Sequence, residues 1–355
     1  MIAADNPDRR SAKLVTVAAD GLIRHLPRAA LEALFQPGDL VVANDAATLP
    51  ASLAGTHMPS GQPIEIRLAG WLSIGDPMRF VAIAFGAGDH RTRTENRSPP
   101  PALSPGDRLA LGPLEAVVER LAGHIRLIEL RFLGSRAEML AGLARHGRPI
   151  QYAHVPQPLA LWDVWTTIAA SPVAFEAPSA GFALDWRTLQ AWRQRGIGFA
   201  TLTHAAGISS TGDGVLDLEL PFDEPYRIPA ATAAAIAEAR WNCKRIIAIG
   251  TTVVRALETA ADHQGVRAGH GVAHGRIEHD TPLRVVDAIL TGVHQPGESH
   301  FELLRAFADD GVLDHVSAAL AERGYRAHEF GDSMLLERQS PRSPARRDRT
   351  LAGVY

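Results

Sequence analysis

The pattern of apolar and polar positions divides the chain into three stretches. Near the start, Lys13 to Val17 alternates weakly, as a strand does, and Arg28 to Phe35 has helical spacing. Pro37-Gly38-Asp39 reads as a turn leading into Leu40-Val41-Val42-Ala43, an unbroken apolar run that predicts a buried strand. That run ends on Asn44-Asp45. Polar residues at the end of a buried strand are where α/β proteins usually place ligand contacts.

Residues 56–150 change to short β-type runs: Ile64 to Leu68, Phe80 to Ala84 and Ile125 to Leu130. Ser98-Pro99-Pro100-Pro101 and Ser104-Pro105-Gly106-Asp107 punctuate them. Such spacing predicts a small antiparallel barrel, closed by a helix around Arg136 to Arg145 and inserted into a larger unit. From 151 onward strands alternate with helices. Helices are expected over 186–195, with Gly196 as the C′ residue, and over 230–241, 252–261, 298–308 and 313–323. Strands are expected over 199–202, 245–249, 283–290 and 333–336. This alternation implies a mostly parallel sheet or a distorted α/β barrel. The Arg-, Ser- and Pro-rich end after Gln339 reads as a disordered tail.

Composition narrows the class. With 355 residues, 46% hydrophobic and 21% charged, the chain can build a substantial core. A net charge of −3 excludes nucleic-acid binding through bulk charge, so any RNA contact needs a local basic patch among the 36 Lys and Arg. The single cysteine, Cys243, excludes an intrachain disulfide and any cysteine-built zinc site, and is expected to be a small buried filler. No apolar run reaches the roughly 18 residues that span a bilayer, and the first residues lack the apolar core of a signal peptide. A cytoplasmic protein without a membrane segment is expected. There are 15 His but no H-E-x-x-H and no close His pair with a matching carboxylate, so no metal is expected.

Several segments can carry chemistry. Gly250-Thr251-Thr252 joins a buried strand to a helix that continues through Arg255 and Glu258. Its first amides can bind an anion such as a carboxylate or phosphate; equally, the segment can be an ordinary helix start with Arg255 and Glu258 paired one turn on. Ala177-Pro178-Ser179-Ala180-Gly181 is a small-residue loop that leaves its backbone open to a ligand, or a plain turn. His204 and His294 follow strands, where an imidazole can shuttle a proton or serve structure. Asp45, Glu224, Asp287 and Asp332 lie beside apolar runs, and Asp287 interrupts Val285-Val286-Asp287-Ala288-Ile289. A buried acid must be bonded, paired or protonated.

Taken in order, five segments resemble the landmark motifs of the S-adenosylmethionine:tRNA ribosyltransferase-isomerases of queuosine biosynthesis. They are Pro37 to Asp45, Ala177 to Gly181, Arg245 to Glu258, Val285 to Thr291 and Tyr325 to Leu336. The match runs from about residue 9 to 337. The resemblance implies a large α/β barrel-like domain, residues 1–55 and 151–338, interrupted by an inserted small antiparallel β-barrel domain at 56–150, with a tail at 339–355. It implies that S-adenosylmethionine serves as ribosyl donor to the 7-aminomethyl-7-deazaguanine base of tRNA. The sulfonium acidifies the adjacent ribose C5′ proton, a base removes it, the carbon attacks the modified guanine, and methionine and adenine leave. No metal is implied. The catalytic candidates are Asp45, His204, Glu224 and His294. The binding candidates are Asn44, Pro178, Ser179, Ala180, Gly181, Gly250, Thr251, Thr252, Arg255, Asp287 and Asp332.

The departures point elsewhere. The family's NDTR is Asn44-Asp45-Ala46-Ala47 here and its PAR is Pro50-Ala51-Ser52, so two Arg are gone. Two family His positions are occupied by Ala183 and Phe222. Arg is the usual bidentate partner of phosphate and carboxylate, so an anionic substrate group is held differently. A divergent paralogue using S-adenosylmethionine or a related nucleoside on a different acceptor is the alternative, with a non-catalytic ligand-binding protein behind it. Glu298, His300 and Glu302 add polarity to the start of a helix that is mostly apolar in the family.

Overall fold

A computed structural model describes residues 1–5, 12–73 and 75–339. The expected tail beyond 339 and the motif residues Arg9, Arg10 and Ser11 lie outside the described residues.

Strands β1 (Lys13–Val17), β2 (Ile23–Pro27) and β3 (Leu40–Asn44) open the fold. Six strands then follow: β4 (Ser52–His57), β5 (Gln62–Trp71), β6 (Arg79–Phe85), β7 (Arg108–Leu111), β8 (Leu114–Leu121) and β9 (Leu127–Phe132). They close into an antiparallel barrel in the order β8-β9-β6-β5-β4-β7. Helix α1 (Arg136–His146) follows, held at its start by a Ser135–Glu138 capping box. The first barrel strand begins at Ser52, ahead of the break expected at 56.

The second half supplies α2 (Trp186–Gln194), β10 (Gly198–His204), β11 (Glu224–Ile228) and α3 (Ala230–Trp241). It continues with β12 (Ile246–Ile249), α4 (Thr251–Ala260), β13 (Gly269–Ala273) and β14 (Ala288–Gly292). Last come α5 (Ser299–Leu304), α6 (Asp310–Glu322) and β15 (Ser333–Glu337). One nine-stranded sheet gathers them in the order β13-β11-β10-β3-β12-β14-β15-β1-β2. The chain is thus an α/β protein with an inserted small barrel, as expected, and its larger sheet has two edges, β13 and β2. Strands β10, β3, β12 and β14 are mutually parallel and form its centre.

Both faces of that centre are covered, which is why β3 is apolar up to Ala43 and β12 throughout. Val42, Ala248 and Ile289 face the core that holds α4 and α6, while Val41, Ala43, Ile249 and Leu290 pack with Trp192, Ala183 and Leu184. The strand expected over 283–290 is in fact Ala288–Gly292, because Glu258 accepts the amides of Arg284, Val285 and Val286 and takes them out of the ladder. Cys243 also departs from expectation: it is exposed. It occupies the left-handed position after α3 (φ 53°), where Cys243 N–H bonds Arg240 O and Lys244 N–H bonds Ala239 O. That is the Schellman arrangement, which fixes the helix end and turns the side chain outward from the core.

Candidate active site

Parallel strands deliver their carboxyl ends to one edge of the sheet, and four ends meet there: Asn44, His204, Ile249 and Gly292. Gly250 then turns the chain with φ 92°, a left-handed value that an L side chain resists. A Cβ at this position would also fall 3.2 Å from Ala180 Cβ, so the glycine lets the 177–183 segment lie directly on the strand end. Among the described residues no side chain caps α4. Its first amides therefore have no side-chain acceptor, the condition under which a helix start binds an anion.

The strand ends are tied together. Asn44 Nδ2 donates to His204 O at 2.9 Å and lies 3.4 Å from Thr252 Oγ1, while Asn44 Oδ1 accepts the amides of Ala46 and His204. Gly250 N–H bonds Leu290 O at 2.8 Å. A small cleft opens beside them, between Ser179, Ala180, Phe182 and Ala183 on one wall and Gly292, His328, Glu329 and Asp332 on the other. Gly181 N–H bonds Pro178 O, closing the turn that presents this wall.

A chain of imidazoles and carboxylates runs along the second wall. His294 Nε2 lies 3.1 Å from Thr291 Oγ1 and its Nδ1 lies 3.6 Å from Glu298. Glu298 also reaches His328 at 3.9 Å. The rings of His294 and His300 stack at 4.8 Å, those of His328 and His154 at 4.9 Å, and His154 pairs with Glu329 at 3.2 Å. Burial alone pushes the Glu298 carboxyl up, but bonds from His294 and the Gln295 amide outweigh it and hold the group below its ordinary range. Behind Glu329, burial pushes the Glu176 carboxyl up, against hydrogen bonds from Tyr152 and Ser209.

The expected site residues separate into groups. Asn44, Ser179, Ala180, Gly250, Thr252, His294 and Asp332 gather at the strand ends and the cleft, with Pro178, Gly181 and Thr251 holding the turns. Asp45 joins them on the face of Thr201 and Thr203, whose hydroxyls donate to its carboxylate at 2.9 and 2.6 Å. Asp332 lines the cleft, yet its two oxygens accept the amides of Lys13 and Arg326, so it ties β1 to the last loop.

Three candidates are buried beneath α4 on the opposite face. His204 is fully buried, and neither ring nitrogen has a hydrogen-bond partner among the described residues. Burial, with the Arg255 charge adding, lowers its pKa to about 3, so the ring is neutral and closed to a substrate. Glu224 accepts the Gly207 amide at 2.6 Å and is ion-paired to Arg255. Arg255 further donates to Ala273 O and Gly275 O. The expected Arg255–Glu258 pair does not form, because Glu258 is occupied with the amides of 284–286. Asp287 sits at the far end of β14, bonding the Ile246 amide and facing Arg240 and Arg338. It is half-exposed, not buried, and belongs to the edge opposite the cleft.

Sequence reasoning missed His154, Glu176, His328 and Glu329. Their only local signal was an imidazole or acid in an irregular stretch, which many surface loops share. Among the described residues no group of three or more His, Cys, Asp or Glu is placed to hold a metal ion, and no helix is long and apolar enough to cross a membrane.

A polar cleft at the carboxyl ends of parallel strands, with an acid–imidazole wall, is the site of an α/β enzyme. Residues 1–336 match the family described as queuosine biosynthesis protein, and the chain belongs to that family. The S-adenosylmethionine:tRNA ribosyltransferase-isomerase of Sorangium cellulosum is 33% identical over 365 residues, 95% of this chain and 95% of that protein. The proteins of the same name from Thiobacillus denitrificans and Thermus thermophilus are 31% and 32% identical, covering 97% and 92% of this chain and 96% and 93% of their own lengths. The crystal structure of an S-adenosylmethionine tRNA ribosyltransferase from Thermotoga maritima matches 94% of this chain and 96% of its own, at 22% identity and a TM-score of 0.50, and shares the fold.

Proposed function

We propose that this chain transfers and isomerises the ribosyl group of S-adenosylmethionine onto the 7-aminomethyl-7-deazaguanine base of tRNA, giving epoxyqueuosine, in the cytoplasm and without a metal. The observation that carries this reading is the cleft itself. It opens at Gly292, the end of β14; the uncapped helix start at Thr251 follows the adjacent end of β12, and Glu298, paired with His294, also reaches His328 of the cleft wall. The helix amides and threonine hydroxyls suit the methionine carboxylate. The small residues Ser179 and Ala180 leave room for a nucleoside against the backbone. His294, backed by Glu298, takes the C5′ proton, and the carboxylate stabilises the imidazolium that forms. Asp45, on the same edge, binds ribosyl hydroxyls. The inserted barrel, at 56–150, and the discontinuous unit of 1–55 and 151–338 are proposed as separate domains flanking the tRNA.

The test is to incubate the protein with S-adenosylmethionine, with and without tRNA carrying the modified base. Release of adenine and methionine only with that RNA is expected. Binding of S-adenosylmethionine with no release in either case sinks the proposal. A second reading, a different acceptor, is favoured by Ala46 and Ala47, small and buried where the family pattern carries a hydroxyl and an Arg. Release without the modified RNA selects it.

A further inference from the structure

Outside the cleft, three arginines are buried around one aromatic ring. Glu65 and Arg67 on β5 point out of the barrel, and Phe85 on β6 stands opposite Glu65 across the strand pair. The guanidinium carbons of Arg67, Arg97 and Arg126 lie 5.0, 5.1 and 4.9 Å from the Phe85 ring centre. Their residues are only 1%, 3% and 9% exposed. Tyr152, from the segment that leaves the barrel, closes over Arg67 with its ring centre 5.8 Å from the guanidinium carbon.

The charges do not balance. Glu65 serves two of the cations, accepting from Arg67 Nε at 2.8 Å and pairing with Arg97 Nη1 at 2.6 Å. Its carboxyl, which burial would raise, is held low by these two arginines. Arg126 and Arg97 otherwise reach only carbonyls: Arg126 Nη2 donates to Arg97 O and Arg97 Nη2 to Gly86 O. Asp213 also acts on Arg126, but it pairs with His124 and accepts the amides of Val215 and Leu216. Counting it still leaves three guanidiniums against two carboxylates; the third acid nearby, Glu176, is bonded by the Tyr152 hydroxyl and burial disfavours its charged form. Burial pulls the Arg126 pKa down, Asp213 opposes this, and Arg97 adds to the fall.

Hydrogen bonding is incomplete at the same place. Arg67 Nη1, Arg97 Nε and Arg126 Nη1 are buried with no partner among the described residues. Phe85 attracts each cation, but its ring face cannot neutralise charge or satisfy three sets of N–H donors. A buried cation needs a counter-charge, and a guanidinium fork fits oxyanions in particular.

We propose that the seam formed by Arg67, Arg97, Arg126 and Tyr152 is a binding site for one small tetrahedral oxyanion of the phosphate or sulfate class. The anion completes the hydrogen bonds of the guanidiniums and fastens the barrel wall to the 86–97 loop and the 124–126 turn. These side chains are too deeply buried for a phosphate still joined to a nucleic-acid backbone, so the ligand is a free ion.

The experiment uses the full chain stripped of anions by dialysis into a chloride buffer. Equilibrium dialysis with labelled inorganic phosphate should show about one equivalent bound, and melting temperature should rise with phosphate but not with chloride of equal ionic strength. Arg126→Met, which keeps the stem and leaves the Arg67–Glu65–Arg97 pairs, should weaken phosphate binding at least tenfold. Should that variant not fold, a crystal of the unaltered chain soaked in selenate decides by the position of the anomalous peak. A peak among the three guanidiniums supports the site. No bound phosphate, binding unchanged in folded Arg126→Met, or a peak only elsewhere overturns it.

Discussion

Arg255 leaves its own helix to pair with Glu224 on β11, and not with Glu258 one turn further along α4. The pair is almost wholly buried, and Arg255 Nη2 donates to the carbonyls of Ala273 and Gly275 at 3.1 and 3.0 Å. Burial lowers the Arg255 pKa to about 10, with Asp223 opposing the fall. The arginine of the Gly250-Thr251-Thr252 motif therefore fastens α4 to β11 and to the edge strand β13 and does not face the cleft.

Arg255→Met leaves Glu224 buried without its partner. A loss of about 3–5 kcal/mol in unfolding free energy is expected, measured by urea denaturation. Unchanged stability with a weaker S-adenosylmethionine affinity would instead return Arg255 to the ligand.

His204 gives the fold a pH dependence. Its folded pKa of about 3 lies below the ordinary 6.5, so between those values the unfolded chain holds a proton that the folded chain does not. Stability is then complete above pH 6.5 and falls as pH drops toward 3. The slope from this residue approaches about 1.4 kcal/mol per pH unit. His204→Leu should flatten the acid limb of the stability curve; an identical limb in that variant contradicts the assignment.

His294→Gln removes the imidazole beside Thr291 and Glu298 while keeping a polar side chain. Turnover should fall about 10²–10⁴-fold with little change in melting temperature. Glu298→Gln should lower turnover less and shift the pH–rate profile, because His294 and His328 lose the carboxylate they share. A profile that does not move argues against coupling through Glu298.

Gly250→Ala places a methyl group 3.2 Å from Ala180 Cβ on a backbone with φ 92°. About 1–2 kcal/mol of stability should be lost from the left-handed backbone alone. S-adenosylmethionine binding, followed by calorimetry, should weaken as the 177–183 wall is pushed away.

Asp287→Asn tests the opposite edge. The KM for S-adenosylmethionine should stay the same, while thermal stability falls through the contacts to Arg240, Arg338 and the Ile246 amide. A raised KM would put Asp287 back among the binding residues.

The sequence by itself determined the elements whose signals are local. The apolar runs of β3 and β12, the Gly196 and Gly250 turns and the barrel's short strands all follow from spacing within a few residues, because backbone geometry and solvent exclusion act over that range. The ordered motifs likewise fixed the family and the strand-end position of Asn44, Thr252 and His294. Only the tertiary structure decided which polar groups meet. Glu224 and Arg255 are 31 residues apart, and His154 and Glu329 are 175 apart. Such pairs exist because strand order brings distant segments together, and a charge removed from water takes whichever partner is within reach, a choice that spacing along the chain does not encode.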